Sequence, residues 1–206
     1  MSSKFVLVDY GMGNLWSVQS AFMYLGTTPI ISSNPIEIEK ADILVLPGVG
    51  SFNRAAKILS ETGIDKAISK NIHKNNGKIL GICLGMQLLC LSSHEDGFSK
   101  GLEIIPTTVE QISSGDSNLK IPHIGFNFVE CPENSVLFKG LKPNTDFYFV
   151  HSYKLKYKDI PGKIGITTYG DRFISSFESS NIFATQFHPE KSQTNGLKIL
   201  QNFLNA

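Results

Sequence analysis

The segment from Lys78 to Leu89, K-I-L-G-I-C-L-G-M-Q-L-L, most constrains how this chain can fold. An apolar run leads directly into Cys83, and an apolar pattern with helical spacing begins at Leu84 with almost no loop between them. This order predicts a strand, a sharp turn and a helix, with a reactive side chain at the apex. Flanking glycines, Gly81 and Gly85, would let neighbouring backbone approach closely.

Two interpretations of this cysteine stay open on the local pattern alone. At the start of a helix, the positive end of the helix dipole would favour the thiolate, which is the attacking form of cysteine. The alternative is a packing residue at the end of a core strand, because free cysteines are among the most buried residues.

The composition excludes several classes of protein. The 206 residues are 41% hydrophobic and 18% charged, which suits a globular protein with a large core. A formal net charge of +1 gives no field that would attract nucleic acid or an anionic membrane. Three cysteines without a C-x-x-C pair favour a reducing compartment over a disulfide framework or a structural zinc site, and we interpret Cys90 and Cys131 as packing residues. The N-terminus lacks the apolar stretch of a signal peptide, and nothing approaches the ~20 apolar residues of a membrane span, so the expected location is the cytoplasm.

Strands and helices alternate in the first half of the chain. Apolar runs predict strands at 5–8, 29–31, 43–46 and 78–82, with helices through 18–25, from about 52, over about 63–74 and after Cys83 as far as Leu91. This alternation implies a parallel sheet with helices on both faces. Ligands of such sheets bind beyond the carboxyl ends of the strands. The segments 9–11 and 47–50 and Cys83 each follow a strand, so we expect them to share one rim.

The second half reads mainly as β-structure. Segments 120–129, 146–153, 163–169, 173–178 and 182–187 predict strands that extend the sheet in antiparallel fashion, and 194–204 predicts an amphipathic helix. Because there is no internal repeat or linker, we expect a single domain over 1–206.

A second reactive element is F-A-T-Q-F-H-P-E-K-S, residues 183–192. A catalytic cysteine needs a base, and the base needs a third group that holds its tautomer. His188 and Glu190 would fill these roles beside Cys83. By itself, however, a His-x-Glu after a strand is more often an ordinary turn, and the composition does not choose among the five histidines, which are His73, His94, His123, His151 and His188.

Several motifs together carry a family resemblance. G-I-C-L-G-M-Q with Q-F-H-P-E-K-S resembles the triad-type, class I glutamine amidotransferases, and P-G-V-G-S-F resembles their oxyanion strand. With D-Y-G-M-G-N-L, I-P-H-I-G-F-N and Y-F-V-H-S-Y, the chain from Val8 to its last helix is similar to the glutaminase subunits of imidazole glycerol phosphate synthase, from histidine biosynthesis. The resemblance implies a class I glutamine amidotransferase-like α/β fold: a mostly parallel central sheet flanked by helices, with an antiparallel β extension in the C-terminal half.

The resemblance also implies a set of site residues. Cys83 would attack the side-chain amide of glutamine, His188 would act as acid and base, and Glu190 would orient His188. Backbone N–H groups of Val49, Gly50 and Leu84 would stabilise the oxyanion, each donor typically contributing ~3 kcal/mol. The positions matching glutamine-binding residues are Gly48, Gln87, Glu95, Ser152 and Tyr153. Glu95 keeps an alternative interpretation as a solvated loop carboxylate. No cofactor or metal is expected, because no G-K-[ST] follows the glycines of 47–50 and G-M-G-N-L lacks the third glycine of a dinucleotide motif.

The family's partner is a (β/α)₈-barrel cyclase/synthase subunit in a heterodimer, which receives the ammonia through a tunnel. The resemblance therefore implies an exposed, partly apolar rim around Cys83 that the partner covers. The positions matching interface or gating residues are Asn14, Phe126, Asn127, Tyr148 and Lys191.

Two departures from the family pattern leave alternatives open. Phe126 stands where the family usually has Trp, and Trp16 where a small or basic residue is common. Either departure would suit a paralogue that supplies ammonia to another pathway, such as amidino-sugar synthesis for surface polysaccharide. A stand-alone cysteine hydrolase and a non-catalytic, partner-binding relative are the remaining alternatives.

Overall fold

The computed structural model describes residues 4–113 and 119–206. As far as Leu88, strands alternate with helices as predicted, and the predicted strands at 5–8, 43–46 and 78–82 are confirmed at those bounds. The elements of this part are β1 (Phe5–Val8), α1 (Leu15–Tyr24), β2 (Ile30–Ser32), α2 (Pro35–Glu39), β3 (Ile43–Leu46), α3 (Phe52–Thr62), α4 (Ile64–Lys74), β4 (Lys78–Ile82) and α5 (Leu84–Leu88).

The rest of the described chain is mainly β-structure and ends in a helix, as predicted. Its elements are β5 (Ser92–Ser93), β6 (Ser99–Lys100), β7 (Val109–Gln111), β8 (His123–Glu130), β9 (Asn144–His151), β10 (Tyr153–Lys156), β11 (Lys163–Tyr169), β12 (Asp171–Ser179), β13 (Ile182–Thr185), a 3₁₀ turn (Pro189–Lys191) and α6 (Gln193–Leu204).

The structure differs from the predicted elements in several details. The strand expected over 146–153 is interrupted at Ser152, which separates β9 from β10. The helix after Cys83 ends at Leu88 rather than Leu91. The short helix α2 was not predicted, although Asn34 caps it by accepting the Ile36 N–H at 3.0 Å and Pro35 occupies its first turn.

The described strands form one sheet with a parallel part and an antiparallel part. The parallel part has the order β2–β1–β3–β4–β13. Placing 182–187 in the antiparallel extension was wrong in this respect, because β13 runs parallel to β4, with Thr185 opposite Ile82. Only the other edge of β13 is antiparallel, against β12.

The pairing of β4 with β13 positions the functional site. Parallel neighbours end at the same edge of a sheet, so the residues that follow Ile82 and those that follow Thr185 meet there. The backbone N–H of Cys83 donates to the Thr185 carbonyl at 2.7 Å and joins the two strand ends.

Beyond β13 the sheet continues through the antiparallel extension. β12 pairs with β13, β10 and β11, while β11 leads to the β8–β9 hairpin and β10 leads to β7. At the edge of the sheet, β7 pairs in parallel with the short strand β5, and β5 pairs with the short strand β6.

Side chains that alternate along the strands form a hydrophobic core on each face of the sheet. Leu44 and Leu46 point into the core that contains α3 and α4, whereas Val45 points into the core that contains α1 and α6. The prediction of helices on both faces is therefore confirmed. Within the described residues, no helix combines the length and the apolar character needed to cross a membrane.

Candidate active site

Cys83 occupies a strained turn between β4 and α5. Its backbone has φ 54° and ψ −109°, an unfavourable conformation for a side chain with a Cβ and the one expected of a nucleophile at the apex of a strand–helix turn. A Cβ on Gly81 would lie 2.9 Å from the Gly85 carbonyl oxygen, and one on Gly85 would collide with the Leu46 carbonyl. Glycines at both positions thus permit the tight turn, as the sequence predicted.

The helix dipole at Cys83 is weaker than the sequence analysis expected. Helix α5 has only five residues, so few peptide dipoles align behind the sulfur.

His188 and Glu190 form a buried pair at the end of β13. His188 Nδ1 lies 2.7 Å from Glu190 Oε1, and their side chains are 3% and 1% exposed. Among the described residues, no hydrogen-bond partner is found for His188 Nε2 or Glu190 Oε2. Because Glu190 fixes the ring through Nδ1, Nε2 is the atom free to exchange a proton with a substrate.

Electrostatics link this pair to Cys83. Burial lowers the pKa of His188, but the Cys83 sulfur and the Glu190 carboxylate outweigh burial and raise that pKa to about 10. The pKa of Tyr10 is raised, first by burial and then by the charge on Cys83. The structure thus brings Cys83, His188 and Glu190 together, and their catalytic roles stay predictions.

Cys83 lines a cavity of about 450 Å³ at the edge of the sheet, a size suited to a small ligand. The walls include most of the predicted oxyanion and glutamine-binding residues, which are Val49, Gly50, Leu84, Gln87, Glu95, Ser152 and Tyr153. The segments after β1 and β3 meet beside it, since the Tyr10 hydroxyl donates to the Pro47 carbonyl at 2.9 Å. The structure therefore brings these segments to one rim, as expected.

Glu95 is half-buried in the cavity wall. Its Oε2 accepts the Phe52 N–H at 2.8 Å, which satisfies a backbone donor in the first turn of α3. Burial raises the pKa of Glu95, the Phe52 N–H opposes this and the Asp96 charge adds to it, and the net direction is upward. A carboxylate at this position suits the ammonium group of an amino acid.

Two other predicted glutamine contacts have internal roles. Gln87 is 4% exposed, and its Nε2 donates to the Tyr153 carbonyl at 2.8 Å and to Gln186 Oε1 at 3.0 Å. Gly48 lies where a Cβ would approach Leu84 Cβ to 2.9 Å, and it is not part of the cavity wall.

The predicted oxyanion donors differ in their availability. The N–H of Val49 donates to the Met12 carbonyl at 3.3 Å, so in this conformation it does not point its proton at the cavity. The N–H of Leu84 belongs to the first turn of α5 and has no carbonyl of its own helix to bond. For Val49 to stabilise an oxyanion, the peptide between Gly48 and Val49 must rotate.

Three of the predicted interface residues, Phe126, Tyr148 and Lys191, lie next to each other. Phe126 on β8 faces Tyr148 on β9, with ring centroids 5.6 Å apart, and the Lys191 ammonium lies 5.9 Å from the Tyr148 ring. Asn14 caps α1, accepting the Ser17 N–H at 3.3 Å. Ile124, Phe126 and Val49 are exposed large apolar side chains, and of these Val49 lines the cavity beside Cys83.

Asn127 and two histidines form a chain of contacts that sequence reasoning did not identify. Asn127 Nδ2 lies 3.3 Å from His123 Nε2, and His123 Nδ1 lies 3.0 Å from His151 Nε2. His151 Nδ1 contacts the Tyr153 carbonyl at 2.8 Å, and His151 also lines the cavity. The alternation of side chains along each strand indicated that His123 and Asn127 share a face of β8. That His123 meets His151 follows only from the register in which β8 pairs with β9.

Residues 6–206 match the family model of the class-I glutamine amidotransferases. The imidazole glycerol phosphate synthase subunit HisH 1 of Campylobacter jejuni is 46% identical over 96% of this chain and 98% of its own length. Subunits HisH of Chlorobaculum tepidum and Aquifex aeolicus are each 45% identical over 96% of this chain, covering 97% and 94% of their own lengths.

Solved structures support the fold. A crystal structure of a glutamine amidotransferase covers 97% of this chain and 97% of its own, with a TM-score of 0.75 at 19% identity. The structure of PurLQS from Thermotoga maritima covers 100% of this chain and 99% of its own matched chain, with a TM-score of 0.71 at 19% identity. These likenesses concern the fold alone and confirm the predicted α/β architecture.

Proposed function

The chain belongs to the class I glutamine amidotransferases, and from this membership we propose that it is the glutaminase subunit of an imidazole glycerol phosphate synthase. The observation that carries the proposal is the buried His188–Glu190 pair beside Cys83, at the wall of a cavity of about 450 Å³. In this role residues 1–206 work as one domain.

The reaction proceeds through a thioester on Cys83. The sulfur attacks the carboxamide carbon of glutamine, the C–N bond breaks, and His188 gives a proton to the departing ammonia. Water then adds to the acyl carbon while His188 takes its proton, and cleavage of the C–S bond releases glutamate. Glu190 holds the ring in the tautomer that keeps Nε2 toward the reacting atoms.

The ammonia passes to a partner subunit with a (β/α)₈ barrel, which makes imidazole glycerol phosphate and AICAR in histidine biosynthesis. Ammonia released into water would be protonated and lost, so direct transfer needs a partner over the mouth of the cavity. The exposed Ile124, Phe126 and Val49 side chains supply apolar surface for that contact. The names of the relatives favour this pathway over amidino-sugar synthesis.

The test is glutamine hydrolysis by the free chain, by its complex with the barrel subunit, and by that complex loaded with the phosphorylated ribulosyl-aminoimidazole carboxamide nucleotide. We expect a low rate for the free chain and a much higher rate for the loaded complex. Equal rates in all three states would contradict the coupling and favour a stand-alone hydrolase.

Cys83→Ala should abolish hydrolysis in the loaded complex and change the affinity for the barrel subunit less than about twofold. The reason is that the variant removes the nucleophile and only a small, 6% exposed side chain. Retained hydrolysis would refute the assignment of the nucleophile, and calorimetric titration with the barrel subunit checks the affinity.

A further inference from the structure

Gln186 is a fully buried residue beside Cys83 to which the proposed mechanism gives no role. Its side-chain Nε2 lies 3.6 Å from Cys83 Sγ, within hydrogen-bond distance for a sulfur acceptor. Its backbone N–H donates to the Ser175 carbonyl at 2.8 Å, which fixes the residue just after β13. The residue is 0% exposed, so water does not compete for this contact.

Neighbouring groups fix which end of the Gln186 amide faces the sulfur. Gln87 Nε2 donates to the Tyr153 carbonyl at 2.8 Å, and a carbonyl only accepts. The same Gln87 Nε2 donates to Gln186 Oε1 at 3.0 Å, so the oxygen of Gln186 faces Gln87 and its NH₂ group faces Cys83. Turning the Gln186 amide over would set its NH₂ group against that of Gln87.

Other groups around the sulfur do not replace this donor. The Tyr10 hydroxyl donates to the Pro47 carbonyl, and the Val150 carbonyl, 3.9 Å from Sγ, can only accept from a thiol. His188 also faces Cys83, since the charge on Cys83 and a hydrogen bond to it are among the causes that raise the His188 pKa, but His188 changes its proton count during the reaction. His151 and Glu95 line the same cavity. Gln186 is a neutral donor whose strength does not depend on pH.

We propose that Gln186 is a further catalytic residue, whose amide N–H stabilises the thiolate of Cys83. The proposal deepens the function proposed above and rests on it. Before attack, the hydrogen bond increases the fraction of thiolate. When water cleaves the thioester, the water oxygen stays on the acyl carbon and its proton passes to His188. The electron pair of the breaking C–S bond returns to the sulfur, where the Gln186 N–H stabilises the new negative charge through a hydrogen bond.

The experiment is alkylation of the full chain by iodoacetamide at about pH 7, which reports the thiolate without glutamine or a partner. Gln186→Met keeps the length of the side chain and removes the donor, while Gln186→Glu keeps its shape and places a carboxylate oxygen against the sulfur. We expect Cys83 to react about tenfold more slowly in the Met variant, since the free energy of a hydrogen bond to a charged group corresponds to a factor of about ten or more in an equilibrium constant. The Glu variant should react more slowly still.

Asn202→Leu is the matched control. Asn202 is another buried carboxamide, on α6, and its Nδ2 donates to the Leu137 and Lys139 carbonyls at 2.7 and 2.9 Å rather than to Cys83. Its removal should leave the alkylation rate within about twofold of the original. Thermal unfolding checks that each variant is folded. If one Gln186 variant does not fold, the alkylation rate of the other variant tests the proposal.

Two results would overturn the proposal: a Met variant alkylated within about twofold of the original rate, or a Glu variant as reactive as the unchanged chain. A packing role predicts the second result, because Glu and Gln have the same shape. Absence of glutaminase activity from the unchanged chain in its loaded complex would instead refute the proposed function, and it would leave the alkylation result as it stands.

Discussion

Two buried pairs in this structure each contain a histidine, and they carry opposite charge preferences. In the first, His188 contacts Glu190 at 2.7 Å, and its pKa is raised to about 10 because Cys83 and Glu190 outweigh burial. In the second, His123 contacts His151 at 3.0 Å, and burial lowers their pKa values to about 4 and about 3. Burial is common to both pairs, so the partner decides whether a buried imidazole is charged.

The neutral pair has a fixed direction of hydrogen bonding. The Tyr153 carbonyl only accepts, so His151 donates from Nδ1 and its Nε2 must accept from His123 Nδ1. His123 Nε2 then accepts from Asn127, and the ring stacks against Tyr169 with centroids 3.9 Å apart. The hydrogen bonds of Asn127, His123 and His151 thus support the strand break at Ser152, which lies in the wall of the cavity. The His188–Glu190 pair, in contrast, has a ring nitrogen available for proton transfer.

The largest test of this contrast replaces the carboxylate of the charged pair. Glu190→Gln keeps the size of the side chain but removes the charge and the preference for the Nδ1–H tautomer, so kcat in the loaded complex should fall about 10³-fold. The pKa of His188 should fall as well, measured by NMR titration of the ring. Glu130→Gln, an exposed carboxylate paired with Arg172, is the control and should change kcat less than about twofold. A loss below about tenfold would show that the ring is oriented by other groups.

A second test uses the dependence of stability on pH. His123 and His151 have lower pKa values in the folded chain than the ~6.5 of an unfolded chain, so the folded state binds fewer protons between these values. Their stabilisation is present above pH ~6.5 and is lost as the pH falls. From about pH 7 to about pH 5 the free energy of unfolding, measured with urea, should drop by about 2 kcal/mol for each of the two residues.

His188 contributes in the opposite sense, because its pKa is raised: its stabilisation is complete below pH ~6.5 and is lost as the pH rises toward 10. His123→Phe keeps an aromatic ring against Tyr169 and removes one titrating group. Its unfolding free energy should therefore drop about 2 kcal/mol less between about pH 7 and about pH 5. Equal drops in the two chains would show that His123 is not held neutral.

The smallest expected effect concerns the carboxylate of the cavity wall. Glu95→Gln keeps an oxygen that accepts the Phe52 N–H but removes the charge expected to face the ammonium of glutamine. We expect the KM for glutamine in the loaded complex to rise about tenfold with kcat changed less than about twofold, since ground-state binding alone is weakened. Glu103→Gln, an exposed carboxylate paired with Lys100, serves as the control. An unchanged KM would favour the alternative interpretation, in which Glu95 is a loop carboxylate that only caps α3.

Much of the fold and the tight turn at Cys83 could be predicted because the signals are local. Apolar runs of four or five residues predicted β1, β3 and β4 at their observed bounds, and the G-x-C-x-G spacing predicted the turn. The errors arose where the chain departs from a local pattern: Ser152 interrupts an otherwise continuous apolar alternation, and β4, the parallel partner of β13, lies about a hundred residues away in sequence.

The sequence by itself determined which residues are chemically capable: a cysteine at a strained turn, and a histidine followed two residues later by a carboxylate. Only the tertiary structure decided which of them meet. Parallel pairing of β13 with β4 brings Gln186 and His188 to Cys83, and pairing of β8 with β9 joins His123 to His151. The physical reason is that residue type and spacing fix local conformation, whereas the charge of a buried imidazole depends on groups that only strand pairing brings within a few ångströms.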